Sequence, residues 1–109
     1  MSRDFKVASS AKGDFRRIFR WLCSRSRRGA IAWREAFWHA VFRIADDAES
    51  FALAEESPRL KRQLRDALFK TRRGRVYRIV FEFNETDVFI LRVRRPGQRP
   101  LKRRDLPRS

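Results

Sequence analysis

The chain has 109 residues, 42% of them apolar and 13% aromatic, which is one domain's length with matter for a modest core and excludes wholesale disorder. Lys and Arg number 28 against 13 Asp and Glu, a net charge of +15 that points to a polyanionic partner. A lone cysteine, Cys23, and a lone histidine, His39, exclude an intramolecular disulfide and a multi-His or Cys-rich metal centre.

Residues 4–8 alternate polar and apolar and predict a short strand with Phe5 and Val7 on one face. Ser9 and Ser10 follow as candidate helix caps. From Ala11 to about Ser24, Phe15, Ile18, Phe19 and Leu22 make one stripe of an amphipathic helix. SRSRRG at 24–29 reads as a loop, and a second helix is predicted from about Ala30 to Ala48. Trp33, Phe37, Ala40, Val41, Ile44 and Ala48 form its buried stripe, and Trp38 and Phe42 a flanking apolar edge. Together the two predict an antiparallel helical hairpin. Residues 49–58 are acidic and close on Ser57-Pro58, a chain boundary.

Residues 59–69 suit either a helix or a strand, and are split into a turn to about Gln63 and a strand to about Lys70. TRRGR at 71–75 is a turn. VYRIVFEF at 76–83 and VFILRVRR at 88–95 are alternating strands joined by Asn84–Asp87, a β-hairpin. Pro96 and Gly97 end it, and the basic stretch 97–109 reads as a frayed tail. No apolar run approaches the length of a membrane span, and the N-terminal stretch lacks the apolar core of a secretory signal, so the cytoplasm is the expected compartment.

The charge is uneven: residues 1–28 carry +7, residues 29–58 carry −4 and residues 59–109 carry +12. Arginine supplies 23 of the 28 cations; its planar fork binds phosphate and carboxylate bidentately. Strand alternation puts Tyr77, Ile79, Phe81 and Phe83, with Phe89, Leu91 and Val93, against the helices. The opposite face then carries Val76, Arg78, Val80 and Glu82, with Val88, Ile90, Arg92 and Arg94. Arginines on one sheet face, with TRRGR and VRRPGQR at its ends, suit a phosphate cradle. An ordinary solvated sheet face is the plain alternative.

These elements resemble the RelE/ParE superfamily of bacterial type II toxin–antitoxin toxins. The resemblance spans about residues 4–101 and is carried by Tyr77-Arg78-Ile79 with Phe81, then Val88, Ile90-Leu91, Val93-Arg94. The helical part is closer to the ParE-like, plasmid-stabilisation branch. The resemblance implies an α+β fold of order β-α-α-β-β-β: a small twisted antiparallel sheet of about four strands on a two-helix hairpin. It implies a cognate acidic antitoxin as partner. One branch cleaves messenger RNA on the ribosome, and is slightly favoured here by the basic charge; the other poisons DNA gyrase without nuclease activity. A non-toxic basic nucleic-acid-binding module is a further alternative. No cofactor is implied.

By the resemblance, Arg78 matches the family's central-strand Arg, and Arg94 or Arg95 the basic position ending the next strand. Lys70 and Arg72 fall where relatives carry basic residues. Many relatives have His-Gly after the second Arg, whereas this chain has Arg95-Pro96-Gly97. Metal-free RNA cleavage needs a base, an acid and cations for the phosphorane. Arginines supply the cations, and Glu82 is the one carboxylate expected on their face, as base or as an ion-pair partner of Arg78 or Arg92. The candidate catalytic set is therefore Arg78, Glu82 and Arg94, with Lys70, Arg72, Arg73, Arg92, Arg95 and Arg99 as nucleic-acid contacts. His39 and Cys23 read as surface residues; Trp21, Trp33 and Trp38 are aromatic enough to stack on bases, though Trp33 lies on the core stripe.

Overall fold

The computed structural model describes residues 2–107. Strand β1 (Asp4–Val7) leads into helices α1 (Ser9–Arg25) and α2 (Arg27–Asp47), then a four-residue helix α3 (Ser57–Leu60) and strands β2 (Arg65–Phe69), β3 (Tyr77–Phe83) and β4 (Asp87–Arg94). The fold is α+β in the expected element order. The strands form one sheet of order β1-β4-β3-β2. The pairs β2–β3 and β3–β4 are antiparallel, but β1 runs parallel to β4, so the sheet is mixed rather than wholly antiparallel. The helical hairpin carries the chain from β1 across one face of the sheet, and so allows that parallel return.

The predicted loop at 24–29 shrinks to one residue. Ser26 is extended (φ −164°, ψ 114°), and its side chain accepts a hydrogen bond from the Gly29 backbone N–H at 3.0 Å. Its flanking arginines are good helix formers, so both helices run up to it. Ser9 and Ser10 do not cap α1: they lie inside it, and the Ser10 hydroxyl donates to the Leu91 carbonyl at 2.8 Å.

Between sheet and hairpin lies an aromatic core. Trp33 packs within 6 Å, centroid to centroid, of Phe15, Phe69 and Tyr77. Val88, Ile90 and Val93 of β4 face this core. The sequence places Phe89 and Leu91 there instead. A bulge explains the difference: Val80 pairs with Arg92 but the next residue, Phe81, pairs with Ile90, which leaves Leu91 as the extra residue. One inserted residue reverses the facing of the strand before it.

The other face is not open either. A second core of Leu60, Leu64, Val80, Leu91, Leu101 and Leu106 covers its middle. The stretch expected to fray is part of this layer. Leu101 is fully buried, and residues Arg103–Asp105 form a 3-10 turn. Arg59 donates to the Leu101 carbonyl, Arg92 to the Asp105 carbonyl (2.7 Å) and Arg62 to the Pro107 carbonyl (3.1 Å). Residues 97–107 are therefore docked, their few leucines supplying the anchors; Arg108 and Ser109 lie outside the described residues. Among the described residues, no helix is long and apolar enough to cross a membrane.

Candidate functional site

The second core divides the arginine-bearing face in three. At one end lies Glu82. It does not meet Arg78 or Arg94; it takes two hydrogen bonds from Arg62, at 2.6 and 2.9 Å, and lines a separate groove with Phe89 and Pro107. Both of its oxygens are taken by one guanidinium and neither meets Arg78 or Arg94, so Glu82 is corrected from a catalytic to a structural residue. Its place in the strand alternation was right, but Val80 and Leu91, buried between, keep it from the arginines.

Arg92, expected as a nucleic-acid contact, is engaged within the fold. Its Nε and Nη2 donate to Asp14 at 2.8 and 2.7 Å, and Asp14 further accepts from the Val93 backbone N–H and from Arg17. Arg99 is held by Asp105 at 2.8 and 3.2 Å, and this pairing pulls the Asp105 carboxyl far below its usual range. Arg92 is held inside the fold, whereas Arg99, its side chain 51% exposed, is engaged by Asp105 at the surface. Lys70, Arg72, Arg73 and Arg95 are exposed and make no ion pair among the described residues.

At the far end of the face, Arg78 and Arg94 come together at an open cavity of about 460 Å³. Asp66, Leu68, Tyr77 and Arg95 help to line it. Arg78 and Arg94 are direct cross-strand partners. Arg78 is compensated twice over: its two terminal nitrogens donate to Glu56 at 2.7 and 2.8 Å, and one of them also to Asp66 at 3.0 Å. Glu56, with its side chain 1% exposed, also accepts from the Leu101 backbone N–H. These bonds hold its carboxyl at about 2, against an ordinary 4.5.

Arg94 has no such partner. It is 4% exposed, no carboxylate lies within 4 Å among the described residues, and its one bond is from Nη2 to the Arg99 carbonyl at 2.6 Å. Its Nε is buried without an acceptor. Burial, then the neighbouring Arg92 and Arg78 charges, lower its pKa from the guanidinium norm. A buried charge left unpaired costs stability, and an arriving anion would relieve that cost.

Two residues outside the expected site stand at this cavity: Asp66, which no sequence pattern singles out, and Tyr77, which strand alternation assigns to the core face. The Asp66 carboxylate takes its one hydrogen bond among the described residues from Arg78, and burial pushes it up from the ordinary 3.8, against the pull of that arginine. Its signal is faint: it falls between Leu64 and Leu68 at period two in a segment that also fits a helix. Tyr77 packs its ring on Trp33 and Phe69 yet lines the cavity, and its hydroxyl has no hydrogen-bond partner among the described residues. Burial raises its pKa, which keeps it protonated. No group of three His, Cys, Asp or Glu suited to a metal occurs among the described residues. One unpaired cation, Arg94, with a carboxylate of raised pKa and a protonated phenol at one open cavity, can bind a phosphodiester and move protons beside it. No protein-family model matches this chain, and no curated protein matches it either.

Proposed function

We propose that this chain is the toxin of a type II toxin–antitoxin module of the RelE/ParE kind, held in check by an acidic antitoxin, and that it cleaves RNA at the Arg78–Arg94 cavity. The observation that carries the reading is Arg94: a buried guanidinium without a carboxylate, opening beside Arg78 onto an accessible cavity. The order β-α-α-β-β-β and the β3–β4 hairpin support the family, since both are what the resemblance implies.

In this reading Arg94 holds the scissile phosphate and stabilises the extra charge of the phosphorane, and Arg78, itself held by Glu56 and Asp66, keeps Asp66 in place beside it. Asp66 accepts the proton of the 2′-hydroxyl, whose oxygen attacks the adjacent phosphorus. The bond to the 5′-oxygen breaks, and Tyr77 supplies the proton that this oxygen takes up. The products are a 2′,3′-cyclic phosphate and a 5′-hydroxyl. The tyrosinate then regains its proton from Asp66 by way of solvent, which returns both groups to their starting forms.

A gyrase-directed toxin is the second reading. It is favoured by the internal pairing of Arg92 and Arg99, which engages two of the six cations expected to contact RNA. Controlled induction in a bacterial host separates the two. Growth arrest with cleaved, ribosome-associated messenger RNA, lost in Asp66→Asn and Arg94→Gln, is the expected result. Arrest with intact messenger RNA and failing DNA supercoiling would replace it by the second.

A further inference from the structure

An exposed tryptophan stands next to this cavity. Along α1, Asp14, Ile18 and Trp21 succeed one another at helical spacing. Asp14 is tied to β4, Ile18 is buried one turn on, and Trp21, a further turn on, is 48% exposed. Trp21 lines a second cavity, of about 410 Å³, with Arg75, Tyr77 and Arg95. The two cavities share Tyr77, Arg95 and the turn Pro96–Gln98, so they form one continuous surface.

Two of the cations on this surface are uncommitted, and a third is stacked on Trp21. Arg75 and Arg95 make no ion pair among the described residues, and the Arg25 guanidinium lies over the Trp21 ring, 5.1 Å from its centroid. Exposed Leu53, Leu68 and Val76 line the first cavity, away from Trp21. Around Trp21 itself, a ring between Arg75 and Arg95 does not suit an apolar peptide or a lipid surface, which need contiguous apolar contact. It suits a single-stranded nucleic acid, whose bases stack while its backbone meets guanidinium.

We propose that Trp21 is the stacking platform for a nucleobase of single-stranded RNA, one whose neighbouring phosphate enters the Arg78–Arg94 cavity. The proposal rests on the RNA reading above and adds how the strand is oriented on the protein: along the end of the sheet, from the cavity toward the α1–α2 junction at Ser26. Stacking accepts any base, so Trp21 fixes position without choosing sequence.

The test is equilibrium binding of a fluorescently labelled RNA hexanucleotide to the full chain, followed by anisotropy, for the native protein and for Trp21→Ala, Trp21→Phe and Arg94→Gln. Trp21→Ala is expected to weaken binding about tenfold. Trp21→Phe, which keeps a ring face, should retain most of the affinity. An abasic residue at one hexanucleotide position should weaken native binding by a similar factor and cause no further loss in Trp21→Ala. Native affinity in Trp21→Ala, with weakened binding in Arg94→Gln, would overturn the stacking platform and leave the anion cavity standing. Equal losses in Trp21→Phe and Trp21→Ala would overturn it too, because a ring plane would then not be what matters. RNA binding indifferent to all three substitutions, or absent from the native protein, would overturn both readings.

Discussion

Arg78 and Arg94 face each other across the β3–β4 pair, yet only one of the two charges is compensated. Like charges directly opposite on a sheet destabilise it. Glu56 and Asp66 relieve Arg78, whereas Arg94 donates to a single carbonyl and leaves its Nε without a partner. The imbalance predicts a trade between stability and function. Arg94→Met keeps the stem and removes the buried charge, so stability to urea should be unchanged or higher by about 1–3 kcal/mol. On the proposed function, RNA binding and toxicity should fall sharply in the same variant. A loss of 2 kcal/mol or more on this substitution would show that the guanidinium is a structural support and not a poised ligand.

Glu56 makes stability sensitive to acid. Its carboxyl sits at about 2 when folded and near 4.5 when exposed, so the unfolded chain binds the extra proton between those values. Stability from this group is fully present above about pH 4.5 and is lost as pH falls toward 2. The full span is about 3 kcal/mol. Urea denaturation at pH 6 and pH 3 should show the native protein losing most of this amount, and Glu56→Gln, already destabilised at pH 6, losing clearly less on acidification. Parallel pH curves for the two proteins would contradict the assignment.

Asp14 locks the first helix to the last strand. It is 6% exposed and takes four hydrogen bonds: two from Arg92, one from Arg17 and one from the Val93 backbone. Removing the carboxylate strands a half-buried guanidinium and a buried N–H. Asp14→Ala should therefore cost about 3 kcal/mol. The double variant Asp14→Ala/Arg92→Met should recover part of that loss, and a cycle of the four proteins measures the coupling. Additive losses would mean that the two side chains do not depend on each other.

The parts of the fold legible in the sequence are those with a local period. The stripe Phe15–Ile18–Phe19–Leu22 and the alternation of β3 placed α1 and β3 and their buried faces. What local pattern cannot carry is partnership at a distance. Glu56 meets Arg78 across 22 positions and Asp14 meets Arg92 across 78. In the sequence each therefore looks like a solvated charge. The bulge at Leu91 has no glycine to mark it, so alternation read straight through it assigns Val88 and Ile90 to the wrong face. The convergence of Arg78 and Arg94 was legible because both follow the pleat. Their open cavity was not, because its lip is set by where residues 97–107 dock.

That docking gives the last prediction. Leu101 is fully buried against Leu64, Val80 and Leu91 in the second core, and its N–H donates to Glu56. Leu101→Ala leaves a cavity in a layer one side chain thick and should cost about 2–4 kcal/mol. The loss should be local before it is global. Hydrogen exchange should accelerate first at the amides of residues 101–106, while the α2 and β3 amides that border the aromatic core stay protected. If the stretch detaches, Glu56 loses its backbone donor and the lip of the Arg78–Arg94 cavity moves. RNA binding should then weaken although no residue proposed to touch RNA has changed. Full retention of RNA binding with accelerated exchange at 101–106 would mean that the cavity keeps its shape without its C-terminal wall.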